Sequence, residues 1–113
     1  MRMPSTSALE SISKLEQTVG EGCPIARSAI KRAREVAHMI ERAELPMPFV
    51  FPTEIGGIQF EWKGNDRELN LEVLPDQSRL AFLKIVKGAP TQEGEVSERD
   101  VESLIEWMTS ATA

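Results

Sequence analysis

The spacing of hydrophobic residues changes twice along the chain and divides it into three regions. Over residues 8–44 apolar side chains recur every three or four positions, as they do in helices with one buried face. Over residues 48–87 apolar and polar side chains alternate, which is typical of strands. The helical spacing returns over residues 97–109. This order predicts an α+β fold with two N-terminal helices, an antiparallel three- to four-stranded meander and a C-terminal helix.

The two N-terminal helices are predicted over about residues 7–19 and 24–44. Gly20 favours a left-handed cap after the first helix, and Pro24 suits the first turn of the second, where its missing amide proton costs nothing. Pro46 prevents further extension. One face of the second helix is apolar, and the other collects Arg27, Lys31, Arg34, His38, Glu41 and Arg42. We therefore expect one buried face and one that meets water or a partner.

Prolines flank the first predicted strand, residues 49–51, and restrict it to an edge of the sheet. Gly56 and Gly57 predict a tight turn before the second strand. Apolar and polar residues alternate over residues 58–63 and again over residues 68–73, with a short polar connection between them. Such short connections predict antiparallel neighbours.

The next run, residues 80–86, is apolar at every position except Lys84. It suits either a strand covered on both faces or one that continues into a partner, and both alternatives stay open. Residues 88–96 are rich in glycine, proline and acidic side chains, so a polar loop is predicted there.

A single domain over residues 1–113 is predicted, because this length supports one modest core but not two. Hydrophobic residues make up 41% and charged residues 27%, close to globular averages. No stretch approaches the roughly 20 consecutive apolar residues that a membrane helix needs, and the first residues lack the apolar core of a secretory signal. A soluble cytoplasmic protein with no membrane association is expected.

The chain has one cysteine, Cys23, and one histidine, His38, so neither an internal disulfide nor the usual Cys/His zinc site is predicted. If both lie near one helix, their separation in sequence corresponds to about 20 Å, too far for a catalytic pair. Glu61 and Glu72 are predicted on the same outward face of neighbouring strands, which leaves a carboxylate-based small-molecule binder or enzyme as an alternative. Otherwise we expect no enzyme, no catalytic residue, no metal and no cofactor.

Charge is distributed unevenly, with seven basic and six acidic side chains in residues 1–44 but six and twelve in residues 45–113. The acidic C-terminal part would repel nucleic acid, whose affinity depends on Lys and Arg contacts to phosphate. Its acid-rich segment from Glu93 to Glu106 would attract a basic protein surface. A binding surface would be acidic and aromatic, although core packing is the first expectation for each aromatic side chain. The aromatic residues in question are Trp62, Trp107, Phe49, Phe51 and Phe82. The candidate interaction residues are Arg27, Lys31, Arg34, His38, Trp62 and Trp107.

One stretch of the sequence resembles a pattern found in small uncharacterised bacterial proteins. It contains a proline-flanked strand, the Gly56-Gly57 turn and the Glu61-Trp62 strand end, followed by residues 67–72 and Pro75-Asp76. Some of those proteins resemble antitoxin-like partners encoded beside another small protein. The resemblance carries no catalytic residue, and it implies a bacterial cytosolic protein with a protein partner.

These observations predict a non-enzymatic protein-interaction module, either an antitoxin-like neutraliser or a homo-oligomeric adaptor. One alternative is a nucleic-acid-binding regulator that uses the basic face of the second helix. Glu35 and Glu41 are interleaved with that face and bring it toward neutrality, which favours a solvated surface. The carboxylate-based binder or enzyme is the other alternative.

Overall fold

The computed structural model describes residues 8–17, 25–75 and 79–109. In these residues three helices pack on one side of a five-stranded antiparallel sheet. The helices are α1 (Ala8–Gln17), α2 (Arg27–Arg42) and α3 (Val101–Thr109), and a 3-10 turn at Glu98–Asp100 precedes α3. The strands are β1 (Phe49–Pro52), β2 (Ile58–Lys63), β3 (Arg67–Val73), β4 (Leu80–Val86) and β5 (Ala89–Val96). They neighbour each other in chain order, as in a meander.

The α+β class and the antiparallel sheet are confirmed, but the predicted number of strands is wrong because the sheet has five. The segment predicted as a loop, residues 88–96, contains β5, which pairs with the whole of β4. Lys87 and Gly88 connect the two strands with φ of 53° and 80°. Left-handed conformations at both positions are the signature of a type I′ hairpin turn. Because β5 is exposed on both faces, it lacks the hydrophobic alternation that marks β2 and β3.

The helices begin and end inside their predicted bounds. Residue 7 and residues 18–24, which include Gly20, Cys23 and Pro24, lie outside the described residues. The second helix begins after Ala26, whose backbone is extended (φ −67°, ψ 140°), and it ends before Glu44, whose φ of 55° interrupts the helix. The last helix begins at Val101, after the 3-10 turn, instead of at residue 97.

The hydrophobic core lies between the helices and one face of the sheet. Each helix contributes, with Ile12 from α1, Ile40 from α2 and Ile105 from α3 all fully buried. The sheet contributes alternate residues of its central strands: Ile58, Phe60, Trp62, Leu69, Leu71 and Val73. Burying a side chain of this size stabilises the fold by about 1.5–3 kcal/mol. This side of the sheet is therefore fixed by packing, which leaves the other side for solvent.

The Gly56-Gly57 turn predicted from the sequence joins β1 to β2, and glycine is needed at each of the two positions for a different physical reason. Gly56 adopts a φ of 92°, and its carbonyl oxygen accepts a hydrogen bond of 2.9 Å from the Ala26 N–H at the start of α2. Gly57 approaches β3 so closely that a Cβ would collide with the Val73 carbonyl oxygen. The turn is therefore anchored to the beginning of α2 and the end of β3.

Candidate interaction surface on the sheet

One face of the sheet carries no helix in the part of the chain that the structure describes, and we call it the open face. The strand register fixes its members, because residues directly opposite each other project to the same side. For example, Phe49 lies opposite Glu61, and Asn70 lies opposite Leu83. The open face consists of Phe49 and Phe51 of β1, Gln59, Glu61 and Lys63 of β2, Glu68, Asn70 and Glu72 of β3, Ala81, Leu83 and Ile85 of β4, and Glu93 and Glu95 of β5.

The open face is strongly acidic. Among its residues are five glutamates and one lysine, Lys63, whose Nζ lies 4.0 Å from Glu61 Oε2. At the start of β4, Arg79 forms a 2.7 Å ion pair with Glu95, but both side chains are largely exposed and such pairs contribute little to stability. A surface with this excess of carboxylates attracts cationic groups and repels phosphate.

Two carboxyl groups meet near the centre of the open face. Only 18% of the Glu61 side chain is exposed, and this burial is the main reason why the pKa of Glu61 is raised. A side-chain hydrogen bond with Glu68 and the negative charge of Glu68 raise the pKa further, while Lys63 lowers it. A cation placed near Glu61 by a partner would lower the pKa of this carboxyl group.

Apolar side chains flank the acidic centre on both sides. On β1, Phe49 is 66% exposed and Phe51 is 37% exposed, an unusual position for large aromatic side chains. On β4, Leu83 and Ile85 are half-buried. An open groove of about 520 Å³ runs beside Leu83 toward β5 and is lined by Leu83, Pro90, Thr91, Gln92 and Glu93. Exposed apolar patches with polar borders are typical of interaction sites.

The predicted basic residues of α2 lie on the helical side of the molecule, away from the open face. Arg27, Lys31 and His38 are exposed, and Arg34 is half-buried. Next to them, Arg32 binds Glu35 at 3.1 Å and Glu98 at 2.8 Å, so part of the positive charge of this helix is already neutralised within the chain.

Neither of the two tryptophans, which were candidate interaction residues, is fully exposed. Trp62 is buried in the core, where its Nε1 donates a 2.8 Å hydrogen bond to the Pro46 carbonyl oxygen. Trp107 is half-buried, and its ring lies between the Arg67 guanidinium at 4.9 Å and the Lys84 ammonium at 4.8 Å. The exposed aromatic residues are Phe49 and Phe51 instead.

Phe49 and Phe51 were not among the six candidate interaction residues, because core packing was the first expectation for each aromatic side chain. Their outward orientation could have been predicted from their positions between prolines in an alternating segment. Alternate positions of the segment turn inward, as buried Pro48 and half-buried Val50 do, and the residues between them must then face outward.

Residues suited to catalysis or metal binding are not brought together in the described ranges. Glu61 and Glu72 share the open face as predicted, but the hydrogen-bond partner of Glu61 is Glu68. His38 lies on α2, and Cys23 lies outside the described residues. Among residues 8–17, 25–75 and 79–109, no three His, Cys, Asp or Glu side chains are placed to hold a metal ion.

Comparisons with known proteins identify no relative of this chain. No family model matches it, no curated protein matches it, and no solved structure matches it. Of the helices described above, none has the length and apolar character needed to cross a membrane.

Proposed function

We propose that this protein is a non-enzymatic protein-interaction module whose open face binds a basic surface of a protein partner. The observation that carries the proposal is the combination, on one uncovered sheet face, of five glutamates with exposed Phe49 and Phe51. In its specific form, suggested by the sequence resemblance, the chain acts in the bacterial cytoplasm as an antitoxin-like neutraliser of a basic protein.

The apolar and acidic parts of the open face would contribute in different ways. Burial of an exposed aromatic side chain such as Phe49 stabilises a complex by about 1.5–3 kcal/mol, and aromatic residues are common among the residues that dominate binding energy. The glutamates speed encounter with a positively charged surface and disfavour acidic partners. A lysine or arginine from the partner near Glu61 would also relieve its unfavourable ionisation beside Glu68.

The alternatives receive less support from the surfaces they would need. Pairing two open faces in a homo-oligomer would bring two sets of glutamates together, which is unfavourable. Nucleic-acid binding would use Arg27, Lys31, Arg34 and His38 on α2, where the neighbouring Arg32 is held by two glutamates. The charge of Arg32 is therefore less available to phosphate.

Affinity capture of the full chain from its native host, followed by light scattering, tests the proposal. The open-face variant is Phe49→Ser with Glu72→Lys, and the matched control on the helical side is Arg27→Glu with Lys31→Glu. We expect the wild type and the helical control to retain the same basic protein at fixed stoichiometry, and the open-face variant to lose it. A monomer that retains no protein, or a partner lost only from the helical control, would contradict the proposal.

A further inference from the structure

The two outer edges of the sheet differ in the backbone groups that they present. In an antiparallel sheet, successive residues of a strand direct their N–H and C=O groups alternately toward the two sides. The Thr53 N–H donates to the Gly57 carbonyl oxygen, which places Thr53 among the residues that bond toward β2. Phe51 and Phe49 lie two and four residues before Thr53, so their N–H and C=O groups also point toward β2. The residues between them face the outer edge of β1.

Prolines limit the outward N–H groups of β1. The outward residues of the strand are Val50 and Pro52, and Pro48 directly precedes the strand, so of these three only Val50 has an N–H group. Proline at such positions prevents an additional strand from pairing with a sheet edge. The β1 edge is therefore closed to strand addition.

The hydrogen bonds at both ends of the β3–β4 pair fix the pattern at the opposite edge. The Leu74 N–H donates to the Arg79 carbonyl oxygen at 2.8 Å, and the Lys87 N–H donates to the Asp66 carbonyl oxygen at 2.7 Å. Odd-numbered residues of β4 therefore bond toward β3, and even-numbered residues bond toward β5.

In the described residues, the outer edge of β5 is open from Gln92 to Val96 by the same count, whereas Pro90 also faces outward and has no N–H group. Leu80, Phe82 and Lys84 of β4 lie opposite Val96, Gly94 and Gln92, so these three residues of β5 bond inward. Glu93 and Glu95 consequently direct both their N–H and their C=O groups away from the sheet. Their side chains project onto the open face.

We propose that an extended basic segment of the protein partner adds to the outer edge of β5 as a sixth strand, with lysine or arginine side chains over Glu93 and Glu95. This inference rests on the proposed function and specifies how part of the partner is bound. Strand addition supplies affinity through main-chain hydrogen bonds and specificity through alternate side chains.

Both faces of β5 suit alternating basic and apolar residues in the added strand. On the open face, the groove beside Leu83 accommodates the aliphatic part of a lysine or arginine while its charged end reaches Glu93. On the opposite face, Gly94 has no side chain, and a Cβ there would lie only 3.5 Å from the Phe82 ring. An apolar side chain of the added strand can therefore approach Phe82 across Gly94.

A second copy of this chain does not fit the same edge. A symmetric antiparallel pairing of two β5 strands centred on residue 93 sets Glu93 opposite Glu93, and one centred on residue 94 sets Glu93 opposite Glu95. Like charges in these positions are unfavourable. The acidic edge thus opposes self-pairing and selects a basic strand.

The probe is a synthetic peptide of alternating lysine and valine, eight residues long to match β5. One control peptide has the same composition with lysines and valines in two blocks, and a second replaces lysine with glutamate. In the full chain we expect the alternating peptide to slow hydrogen exchange at the Glu93 and Glu95 amides on the order of tenfold or more, with little effect from either control.

A pair of variants separates the backbone from the charge. Glu93→Ala removes the carboxylate and keeps the outward N–H, whereas Glu93→Pro removes both. We expect the proline variant to bind the alternating peptide roughly 3- to 10-fold more weakly than the alanine variant, the loss typical of one backbone hydrogen bond. Exchange at the Gly94 amide, which bonds inward, shows whether β5 remains paired. If β5 of the proline variant is no longer paired, strand addition is judged only from the exchange of the Glu93 and Glu95 amides in the wild type, with and without the alternating peptide.

Strand addition is overturned if Glu93 and Glu95 exchange at the same rate with and without the alternating peptide, or if the block peptide protects them equally. Strand addition can fail while the proposed function stands. If the open-face variant loses the native partner while the Glu93 and Glu95 amides of the wild-type complex exchange freely, the open face remains the binding surface and the sixth strand is wrong.

Discussion

Glu61 of β2 and Glu68 of β3 lie diagonally across the two strands on the open face, where a hydrogen bond between their side chains would favour a protonated carboxyl group. Two carboxyl groups form such a bond when one of them carries a proton. Burial, followed by the hydrogen bond and charge of Glu68, accordingly raises the pKa of Glu61 above its ordinary value of 4.5. The centre of the proposed binding surface therefore favours either a proton or a cation.

Glu61→Gln should stabilise the free protein at neutral pH. The raised pKa means that the folded state prefers the neutral carboxyl, so this contribution is fully present below the ordinary pKa and is lost as pH rises through the raised pKa. Glutamine remains neutral throughout. In urea denaturation we expect the advantage of Glu61→Gln over wild type to shrink as pH falls below 4.5. Glu72→Gln controls for the removal of one negative charge. If Glu61→Gln stabilises the protein as much below pH 4.5 as at neutral pH, the raised pKa of Glu61 is not the cause.

At a pH near the raised pKa of Glu61, where this carboxyl group is partly protonated, binding of a basic partner should release a proton from it. A cation near this carboxyl lowers its pKa, so affinity should fall as pH decreases through the raised pKa of the free protein. Calorimetry in two buffers with different ionisation enthalpies measures the proton release. Glu61→Gln should abolish this component, and a variant that releases as many protons as wild type would assign it to another group.

Gly57→Ala should destabilise the fold by about 1–3 kcal/mol, because the added Cβ collides with the Val73 carbonyl oxygen and must displace backbone. Gly94→Ala is the matched control. Its Cβ would make ordinary contact with the Phe82 ring at 3.5 Å, so we expect a change within about 0.5 kcal/mol. Thermal or urea denaturation measures both, and equal effects would refute the role of the close approach at Gly57.

Trp62→Phe should cost about 1–3 kcal/mol, since it removes the hydrogen bond to Pro46 and leaves space in the core. Phe49→Ser should change stability by no more than about 0.5 kcal/mol, because Phe49 is mostly exposed. Denaturation of the two variants therefore separates the core aromatic from the surface aromatic. A large loss for Phe49→Ser would mean that its effect on binding reflects folding.

The sequence predicted those parts of the fold in which one face is buried. Residues 58–63 and 68–73 alternate because Phe60 and Leu71 pack against helices while their neighbours meet water. No such pattern exists in β5, whose pairing depends on backbone hydrogen bonds and on the Lys87-Gly88 turn. A strand exposed on both faces leaves no hydrophobic period to detect.

The candidate surface was predictable only in its chemistry. An acidic C-terminal part that attracts a basic partner was expected, and Glu61 and Glu72 do share the open face. The contact between Glu61 and Glu68 depends on the strand register, which the turn between β2 and β3 determines. Hydrophobicity also gave no means of distinguishing buried Trp62 from exposed Phe49, since both belong to alternating segments.

Carboxyl footprinting of the complex captured from the native host shows whether the open face is the surface that binds the partner. Carbodiimide-coupled labelling, read by mass spectrometry, compares each glutamate in the free chain and in the complex. We predict protection of Glu72, Glu93 and Glu95 on the open face, and unchanged labelling of the exposed Glu102 and Glu106 on α3. Protection of Glu102 and Glu106 with unchanged labelling of the open-face glutamates would mean that the partner binds the helical side and not the open face.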